Sequence, residues 1–296
     1  MGCCLIAVFT LMLLGGCRTD KRAARLAVGQ SPCPTVLVTY YAYGPSLVRS
    51  AFAPVPDYDG WPDERMERDC DRLIRSGADV VVIVLEIGEL SEEVKRERVR
   101  RFAEVLEKGR LADGLALCIG IWARAPMTLT GVQREESLRW LGESGLVQMG
   151  SYYRPDGTRG ALFVDDSVGQ LPGHPALALY TGLSVSPESG GGAPGSAPPV
   201  PCSVQQGPAG VRAVVTAGSL APHAAKGHLR KAGSWTLPRA KGTTLRDGFR
   251  EARAAGAGSL WVSSWNNYQR GDAIEPNTFD GSAVLKTLQR EVGRLR

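Results

Sequence analysis

The chain has 296 residues, and 43% of them are hydrophobic, which is enough for one large α/β domain or two small ones. Its formal net charge is +5, and its 35 basic and 30 acidic residues are interleaved rather than clustered, so nucleic-acid binding is not indicated. Three histidines and the absence of any CxxC spacing argue against a metal site, and no motif indicates a cofactor.

The amino terminus has the features of an export signal. The apolar run from Cys3 to Leu14 has the length of a signal-peptide core and is too short for a comfortable membrane span. It leads into Leu14-Gly15-Gly16-Cys17, which resembles the bacterial lipobox. The resemblance implies that residues 1–17 are the signal, that Cys17 carries a lipid anchor for the membrane, and that residues 18–33 form a tether. It also implies a location at the bacterial cell envelope, periplasmic or surface-facing.

Two alternatives to a lipoprotein signal remain open. No Lys or Arg precedes the apolar run, which leaves a simple cleaved or uncleaved anchor as the first. The second is myristoylation at Gly2, although Ile6 stands where that signal has Ser or Thr.

Residues 34–296 are predicted to form a single domain in which strands and helices alternate. Apolar runs rich in Val, Ile and Leu predict strands buried on both faces. Charged segments with one apolar stripe predict helices between them. In the first half, strands are predicted at 36–43, 79–87, 115–121 and 161–164, and helices at 63–76, 91–108 and 132–143. This alternation is typical of α/β folds with a parallel sheet.

The second half is less regular. Residues 176–180 are a further candidate strand, and residues 184–210, rich in Gly, Pro and Ser, are predicted to be a long loop or insertion. That segment contains the letters of a GxGxxG motif, but no strand precedes it and no helix follows, so we exclude a nucleotide site. The remaining elements are a strand over 211–217, a helix over 243–257, a strand that begins at Leu260 and a helix over 281–296.

Aromatic side chains stand at the ends of two predicted strands. Tyr40, Tyr41 and Tyr43 end the first strand, and Trp122 ends the third, shortly before Arg124. Aromatic rings stack well against the C–H groups of a sugar face, so these residues are candidates for sugar binding. Adjacent side chains on a strand point in opposite directions, which leaves open that Tyr40 or Tyr41 fills the interior. For Arg124 the alternative is an ion pair at the rim.

Carboxylates stand at the ends of two other predicted strands. Ligands bind α/β folds at the carboxyl ends of the strands, so Glu86 and Asp165 are candidates for chemistry. Glu86 either lines a pocket or pairs with a nearby arginine. Asp165 is followed by Asp166, and only one of them can face inward. The other is expected to cap the next segment.

Two segments at opposite ends of the chain carry a family resemblance. Ser264-Trp265-Asn266, followed by Gly271 and Ile274-Glu275-Pro276, resembles the hallmark of glycoside hydrolase family 99, the endo-α-mannosidases, and of related bacterial glycan-processing proteins. Tyr40-Tyr41-Ala42-Tyr43-Gly44 resembles the first-strand motif of the same family. The resemblance implies a (β/α)8 TIM barrel, here incomplete or irregular in its second half, whose substrate is a glycan or polysaccharide.

The chain departs from the family hallmark at its two glutamates. Asn267 and Arg270 stand at those positions, and neither side chain can act as an acid or base at neutral pH. The loop residues that are candidates for binding sugar are Trp265, Asn266, Asn267 and Arg270. The candidate catalytic carboxylates are Glu86, Asp165, Asp272 and Glu275. Glu275 has a structural alternative, in which it anchors the loop through backbone N–H groups.

The sequence therefore predicts an exported, membrane-anchored barrel protein of the glycoside hydrolase type. Hydrolysis requires two carboxyl groups that flank the glycosidic bond, about 5 to 10 Å apart. The first alternative is a noncatalytic glycan-binding lipoprotein on the same barrel, and the second is a structural surface protein. The sequence indicates no oligomeric state.

Overall fold

The computed structural model describes residues 33–41, 62–108, 114–123, 131–183, 200–207, 210–220, 235–267 and 272–296. The export signal with Cys17 and the candidate site residues Tyr43, Arg124 and Arg270 lie outside these ranges, and the predictions for them stay predictions. Each helix within the described ranges is too short or too polar to cross a lipid bilayer.

Strands and helices alternate along the chain in the first half. The strands are β1 (Thr35–Tyr41), β2 (Val80–Glu86), β3 (Ala116–Trp122), β4 (Gly160–Asp165), β5 (Leu177–Leu183), β6 (Cys202–Gly207), β7 (Gly210–Thr216), β8 (Ser219–Leu220), β9 (Trp235–Leu237) and β10 (Ser259–Ser263). The helices are α1 (Asp63–Arg75), α2 (Glu93–Lys108), α3 (Gly131–Glu143), α4 (Thr243–Ala254) and α5 (Ala283–Gly293). Short 3₁₀ turns follow β2 (Ile87–Ser91) and β4 (Asp166–Val168).

Eight strands form one sheet in the order β5-β4-β3-β2-β1-β10-β7-β6. β6 pairs with β7 in the antiparallel direction, and the other strand pairs are parallel. The last strand returns beside the first, which is the winding of a (β/α)8 barrel. Within the described strands, β5 and β6 are the two edges, so the sheet is a curled half-barrel. This confirms the predicted fold class, an incomplete barrel.

The curl of the sheet brings side chains of distant strands into contact. Phe163 of β4 and Trp261 of β10 lie on strands four positions apart in the sheet. On a flat sheet that separation is about 19 Å. Their rings nevertheless meet edge to face with centroids 4.5 Å apart, and Phe163 also packs against Tyr180 of β5. These contacts define the concave face of the sheet.

The convex face is covered by helices. The Tyr40 hydroxyl donates to the Asp69 carboxylate of α1 at 2.9 Å, and the Tyr40 ring packs against Phe102 of α2. Burial raises the pKa of Asp69, while Arg65 and the Tyr40 hydroxyl oppose that shift. Because Tyr40 faces the helices, its neighbour Tyr41 faces the concave side.

The six strands predicted from apolar runs are all present. Where the prediction gave both ends of a strand, those ends differ from the observed ones by one or two residues. The candidate strand at 176–180 is β5. The prediction of a loop was wrong for residues 202–207, which form β6. The sequence there, CSVQQG, has no apolar run, and the strand is stabilised by pairing with β7 and by α4. α4 approaches so closely that a Cβ added at Gly248 would lie 2.5 Å from the Pro201 carbonyl oxygen.

One buried carboxylate joins the last two helices. Glu291 of α5 is fully buried and contacts Arg294 at 2.7 Å, Arg253 of α4 at 3.2 Å and Arg290 at 3.4 Å. Burial alone would raise the pKa of Glu291, but hydrogen bonds from Arg294 and Arg253 outweigh it and hold the pKa below its ordinary value of 4.5. The carboxylate therefore stabilises the fold above that value, and this contribution is lost as the pH falls through the lowered pKa.

We expect Glu291→Gln to lower the free energy of unfolding at pH 7 by about 2 kcal/mol, because the charged hydrogen bonds to the arginines are lost. The difference from the unmodified protein should shrink as the pH falls below the ordinary pKa of 4.5 and through the lowered pKa. Urea unfolding at pH 7 and at an acidic pH below the ordinary pKa measures it. Glu251→Gln, at an exposed position of α4, is the control and should change stability little. An equal loss of stability at both pH values would contradict the role given to Glu291.

Candidate active site

Strand register identifies the residues that line the concave face at the carboxyl ends of the strands. Phe163 faces inward and pairs with Gly120, so Trp122, two residues further along β3, also faces inward. Glu86 of β2 pairs with Trp122, and Asp165 is two residues beyond Phe163 on β4. Glu86, Trp122 and Asp165 therefore end three adjacent strands: Glu86 and Trp122 are direct partners, and Asp165 follows the last β3–β4 pair, Ile121 with Val164. The register of β4 with β5 shifts between Phe163 and Asp165. We refer to them as the Glu86–Trp122–Asp165 row.

Glu86 is held by the 3₁₀ turn that follows β2. Its carboxylate accepts a hydrogen bond from the backbone N–H of Glu89. The Glu89 carboxylate accepts from the backbone N–H of Glu86 at 2.9 Å and binds Lys95 through its other oxygen at 2.6 Å. The sequence left open whether Glu86 lines a pocket or pairs with an arginine. The described contacts of Glu86 include no arginine. The side chain is half-buried, so it is the most exposed member of the row.

Asp165 is held in the same manner at the end of β4. Its Oδ1 accepts from the backbone N–H of Ser167 at 2.9 Å, and 5% of the residue is exposed. The Ser167 hydroxyl in turn accepts from the N–H of Ala123, which joins the ends of β3 and β4 at 3.0 Å. We predicted that one of Asp165 and Asp166 faces inward and that the other caps the next segment. That prediction was wrong. Asp165 does both, because a side chain at the end of a strand can reach the N–H two residues on, and Asp166 is exposed.

Trp122 ends β3, the strand that lies between β2 and β4. Its indole is 4% exposed and belongs to the core of the barrel. Parallel strands lie about 4.8 Å apart, so the backbones of β2 and β4 are about 10 Å apart across β3. The row thus combines two carboxylate residues with an aromatic residue on the strand between them, which are residue types suited to acid and base chemistry on a sugar.

The two tyrosines of β1 have different surroundings. Tyr40 lies in the layer between sheet and helices, where its hydroxyl is bonded to Asp69, so this is the tyrosine that fills the interior of the fold. Tyr41 faces the concave side and is 1% exposed. It pairs with Val84 of β2, two residues before Glu86, and so lies next to the row.

Asn266 connects the first and last strands of the sheet. Its Oδ1 accepts from the Tyr41 backbone N–H at 2.8 Å, and its Nδ2 donates to the Tyr41 carbonyl oxygen at 2.9 Å. Trp265 continues this pairing by donating its backbone N–H to the Thr39 carbonyl at 2.7 Å. The amide of Asn266 therefore replaces a strand residue in the ladder beside β1. The contact occupies both the oxygen and the nitrogen of the Asn266 side-chain amide, which the sequence made a candidate for sugar binding.

The rest of the hallmark segment is buried. Trp265 and Asn267 have no exposed surface, and the backbone N–H of Asn267 donates to the Ser264 hydroxyl at 2.9 Å. The peptide bond between Ser263 and Ser264 is cis. Trp265 and Asn267 form part of the buried segment that follows β10. Their predicted contact with sugar stays a prediction.

Asp272 is held by the serines at the end of β10. Its Oδ2 accepts from the Ser263 hydroxyl and its Oδ1 from the Ser264 hydroxyl, each at 2.8 Å, and the residue is fully buried. Hydroxyl donors on both oxygens fix the returning loop to the strand. These contacts give Asp272 a structural role at the end of β10, and its catalytic role stays a prediction.

Glu275 is also fully buried, in the turn that follows. Its backbone N–H donates to the Trp265 carbonyl at 2.8 Å, and its carbonyl accepts from the Asn277 side chain at 2.9 Å. These are contacts of the Glu275 backbone, and the predicted roles of its carboxylate stay predictions. Neither Glu275 nor Asp272 belongs to the Glu86–Trp122–Asp165 row.

A buried arginine that the sequence did not single out supports the same loop. The Arg239 guanidinium pairs with Asp280, with both side chains almost fully buried, and donates to the Ala273 carbonyl at 2.6 Å. A lone arginine in a basic stretch gives no signal for this role, because its partners lie 34 and 41 residues further along the chain.

Other kinds of chemistry find little support in the described residues. The cysteines in these ranges, Cys33, Cys70, Cys118 and Cys202, are not in disulfide bonds. Burial, with a smaller contribution from the charge of Glu251, raises the pKa of Cys202 to about 11, so its thiol is a poor nucleophile. No group of His, Cys, Asp and Glu side chains in the described part of the chain is arranged to hold a metal ion.

Fold and row together define a (β/α)8-type half-barrel with two carboxylates at the carboxyl edge of its sheet. No protein-family model matches the chain, and its sequence has no significant match among curated proteins. Solved structures do match. The family 99 endo-α-mannosidase from Bacteroides thetaiotaomicron, in complex with bis-tris-propane, aligns with a TM-score of 0.63 at 14% identity over 88% of this chain and 97% of its own.

Two further structures agree with that result. Another structure of the Bacteroides thetaiotaomicron endo-α-mannosidase gives a TM-score of 0.60 at 12% identity, over 88% of this chain and 97% of the enzyme. A glycoside hydrolase-like protein gives 0.58 at 12% identity, over 88% of this chain and 94% of its own. At these identities the comparisons show that the chain shares the fold of these proteins.

We expect Asn266→Asp to lower the free energy of unfolding by about 2 to 3 kcal/mol, because a carboxylate cannot donate to the Tyr41 carbonyl and would place two acceptors against each other. Chemical denaturation at pH 7 measures the loss. Gln206→Glu, the same exchange of amide for carboxylate at an exposed position of β6, is the control. A stability equal to that of the control would show that the amide does not hold the two strands together.

Proposed function

We propose that the chain is a glycoside hydrolase-like protein that binds a glycan at the carboxyl edge of the half-barrel and hydrolyses it. The Glu86–Trp122–Asp165 row carries this proposal. It combines two carboxylates with an aromatic ring on the face where barrel enzymes bind their ligands. The fold shared with an endo-α-mannosidase and with a glycoside hydrolase-like protein supports a glycan as the ligand.

In the proposed site, Trp122 contacts a sugar ring, and Glu86 and Asp165 supply the acid and the base. The backbone hydrogen bonds from Glu89 and Ser167 fix the two carboxylates at the ends of β2 and β4. The hallmark residue Asn267 cannot supply the proton that hydrolysis requires, so the reaction would use side chains of β2 and β4 instead of the loop after β10.

The test is turnover of a panel of α-mannan, β-glucan, xylan and chitin oligosaccharides by the full chain in detergent. Glu86→Gln and Asp165→Asn should each lower kcat by at least about a hundredfold, because each removes an acid or base. Both amides can still accept the capping N–H, so the fold should be kept. The matched controls Glu92→Gln and Asp166→Asn change exposed neighbours and should retain activity. Full activity in both row variants would remove Glu86 and Asp165 as the catalytic pair.

The second candidate function is noncatalytic glycan binding. It is favoured by the replacement of both hallmark glutamates, by Asn267 and Arg270. Calorimetric titration with the same panel separates the two functions. Binding without turnover in the unmodified chain would decide for the binding protein, and binding in Glu86→Gln with turnover lost would decide for the enzyme.

We also propose that the protein is a membrane-anchored lipoprotein of the bacterial cell envelope, on the evidence of the lipobox-like sequence that ends at Cys17. In a bacterial host fed labelled palmitate, Cys17→Ser should abolish labelling and release the chain from the membrane fraction, since the acyl chains supply most of the membrane affinity. Cys4→Ser, within the apolar run, is the matched control and should keep the label. Labelling that survives Cys17→Ser would contradict the proposal.

A further inference from the structure

We propose that Glu89 and Lys95 are positioning residues for the hydrolysis, an inference that rests on the proposed function. Glu89 lies in the 3₁₀ turn that follows β2, and Lys95 lies in the first turn of α2. The Lys95 Nζ and the Glu89 Oε1 are 2.6 Å apart. This ion pair holds the Glu86 carboxylate at its place in the Glu86–Trp122–Asp165 row.

Glu89 contacts Glu86 at both the side chain and the backbone. The Glu89 backbone N–H donates to the Glu86 carboxylate, and the Glu89 Oε2 accepts from the Glu86 backbone N–H at 2.9 Å. Such a reciprocal pair is a capping box, which fixes the backbone and the side chain of the capping residue together. A shift of Glu89 therefore moves the Glu86 carboxylate as well as the end of β2.

Lys95 fixes Glu89 to a helix. It binds Oε1 of the Glu89 carboxylate, while Oε2 accepts from Glu86, so the two oxygens have different partners. The side chains of the pair are 19% and 22% exposed, so water competes with it less than with the ion pairs on the outer face of α2. The next residue, Arg96, donates its Nε to the Leu90 carbonyl. The turn that places Glu86 is thus bound at two points to the start of α2.

Helix stability does not account for the position of Lys95. The amino-terminal turn of a helix is the positive end of its dipole, where a cation is unfavourable. Lys95 nevertheless stands in the first turn of α2. Because α2 begins directly after the turn that follows β2, this end of the helix lies at the carboxyl edge of the sheet, where the row is. The contact that explains a cation at this position is the one with Glu89.

The pair acts on the reaction through the placement of Glu86. A displacement of a reacting group by about 1 Å can lower the rate about a hundredfold. Glu89 and Lys95 hold an acid or base of the reaction rather than the sugar itself. Their loss should therefore lower kcat and leave KM nearly unchanged.

The experiment measures kcat and KM of the full chain in detergent, with the oligosaccharide of the panel that it hydrolyses fastest. Lys95→Met should lower kcat by at least about tenfold with KM nearly unchanged. Lys95→Arg should restore most of the activity, because a guanidinium also donates to the Glu89 carboxylate. The matched control is Lys108→Met, which removes an exposed ion pair with Glu104 at the other end of α2 and should keep kcat. Circular dichroism gives the folded fraction to which each kcat is referred.

A double variant distinguishes positioning from a general role in stability. Because Lys95 acts through Glu86, Lys95→Met should cause no further loss of the residual kcat of Glu86→Gln. A further loss of about tenfold in that background would show that Lys95 acts on the fold as a whole, and would contradict the inference.

The outcomes separate this inference from the proposed function. Hydrolysis by the unmodified chain, with Lys95→Met as active as the Lys108→Met control, would overturn the positioning role while the glycosidase function stands. The same holds for a loss of kcat that Lys95→Arg does not restore. No hydrolysis of any panel member by the unmodified chain would overturn the glycosidase function and the inference with it.

Discussion

The contact between Phe163 and Trp261 is the constraint on which the geometry of the site depends. It is possible only if the sheet curls, and it defines which face is concave. Because side chains alternate along a strand and parallel partners share a face, this one contact assigns the direction of residues on every neighbouring strand. A slip of one residue would turn Glu86 and Asp165 towards the helices. The apolar strands oppose such a slip because both of their faces are packed.

The segment after β10 that resembles the family hallmark is a structural part of the curled sheet. Asn266 extends the ladder beside β1, and Asp272 accepts hydroxyl hydrogen bonds from Ser263 and Ser264. Buried polar groups are costly unless they are paired, so these contacts make the segment a fixed part of the barrel wall. Residues that resemble a catalytic hallmark here hold the first and last strands together.

A shared barrel does not determine a reaction, because unrelated reactions occur on the same fold. In this chain the carboxylates Glu86 and Asp165 stand at the ends of β2 and β4, whereas Asn267 follows the last strand. Glu86 and Asp165 are each placed by the turn after its strand, and Trp122 ends the strand that lies between those two.

The sequence alone determined the repeating strands and helices, because apolar runs and amphipathic stripes are local patterns that burial imposes on each segment. It also identified Glu86, Trp122 and Asp165 as residues at strand ends. It missed β6, whose six residues form a strand only beside β7 and α4. It also missed the roles of Asn266 and Asp272. Only the tertiary structure decided these, because Asn266 and Tyr41 are 225 residues apart and a hydrogen bond between them leaves no local pattern.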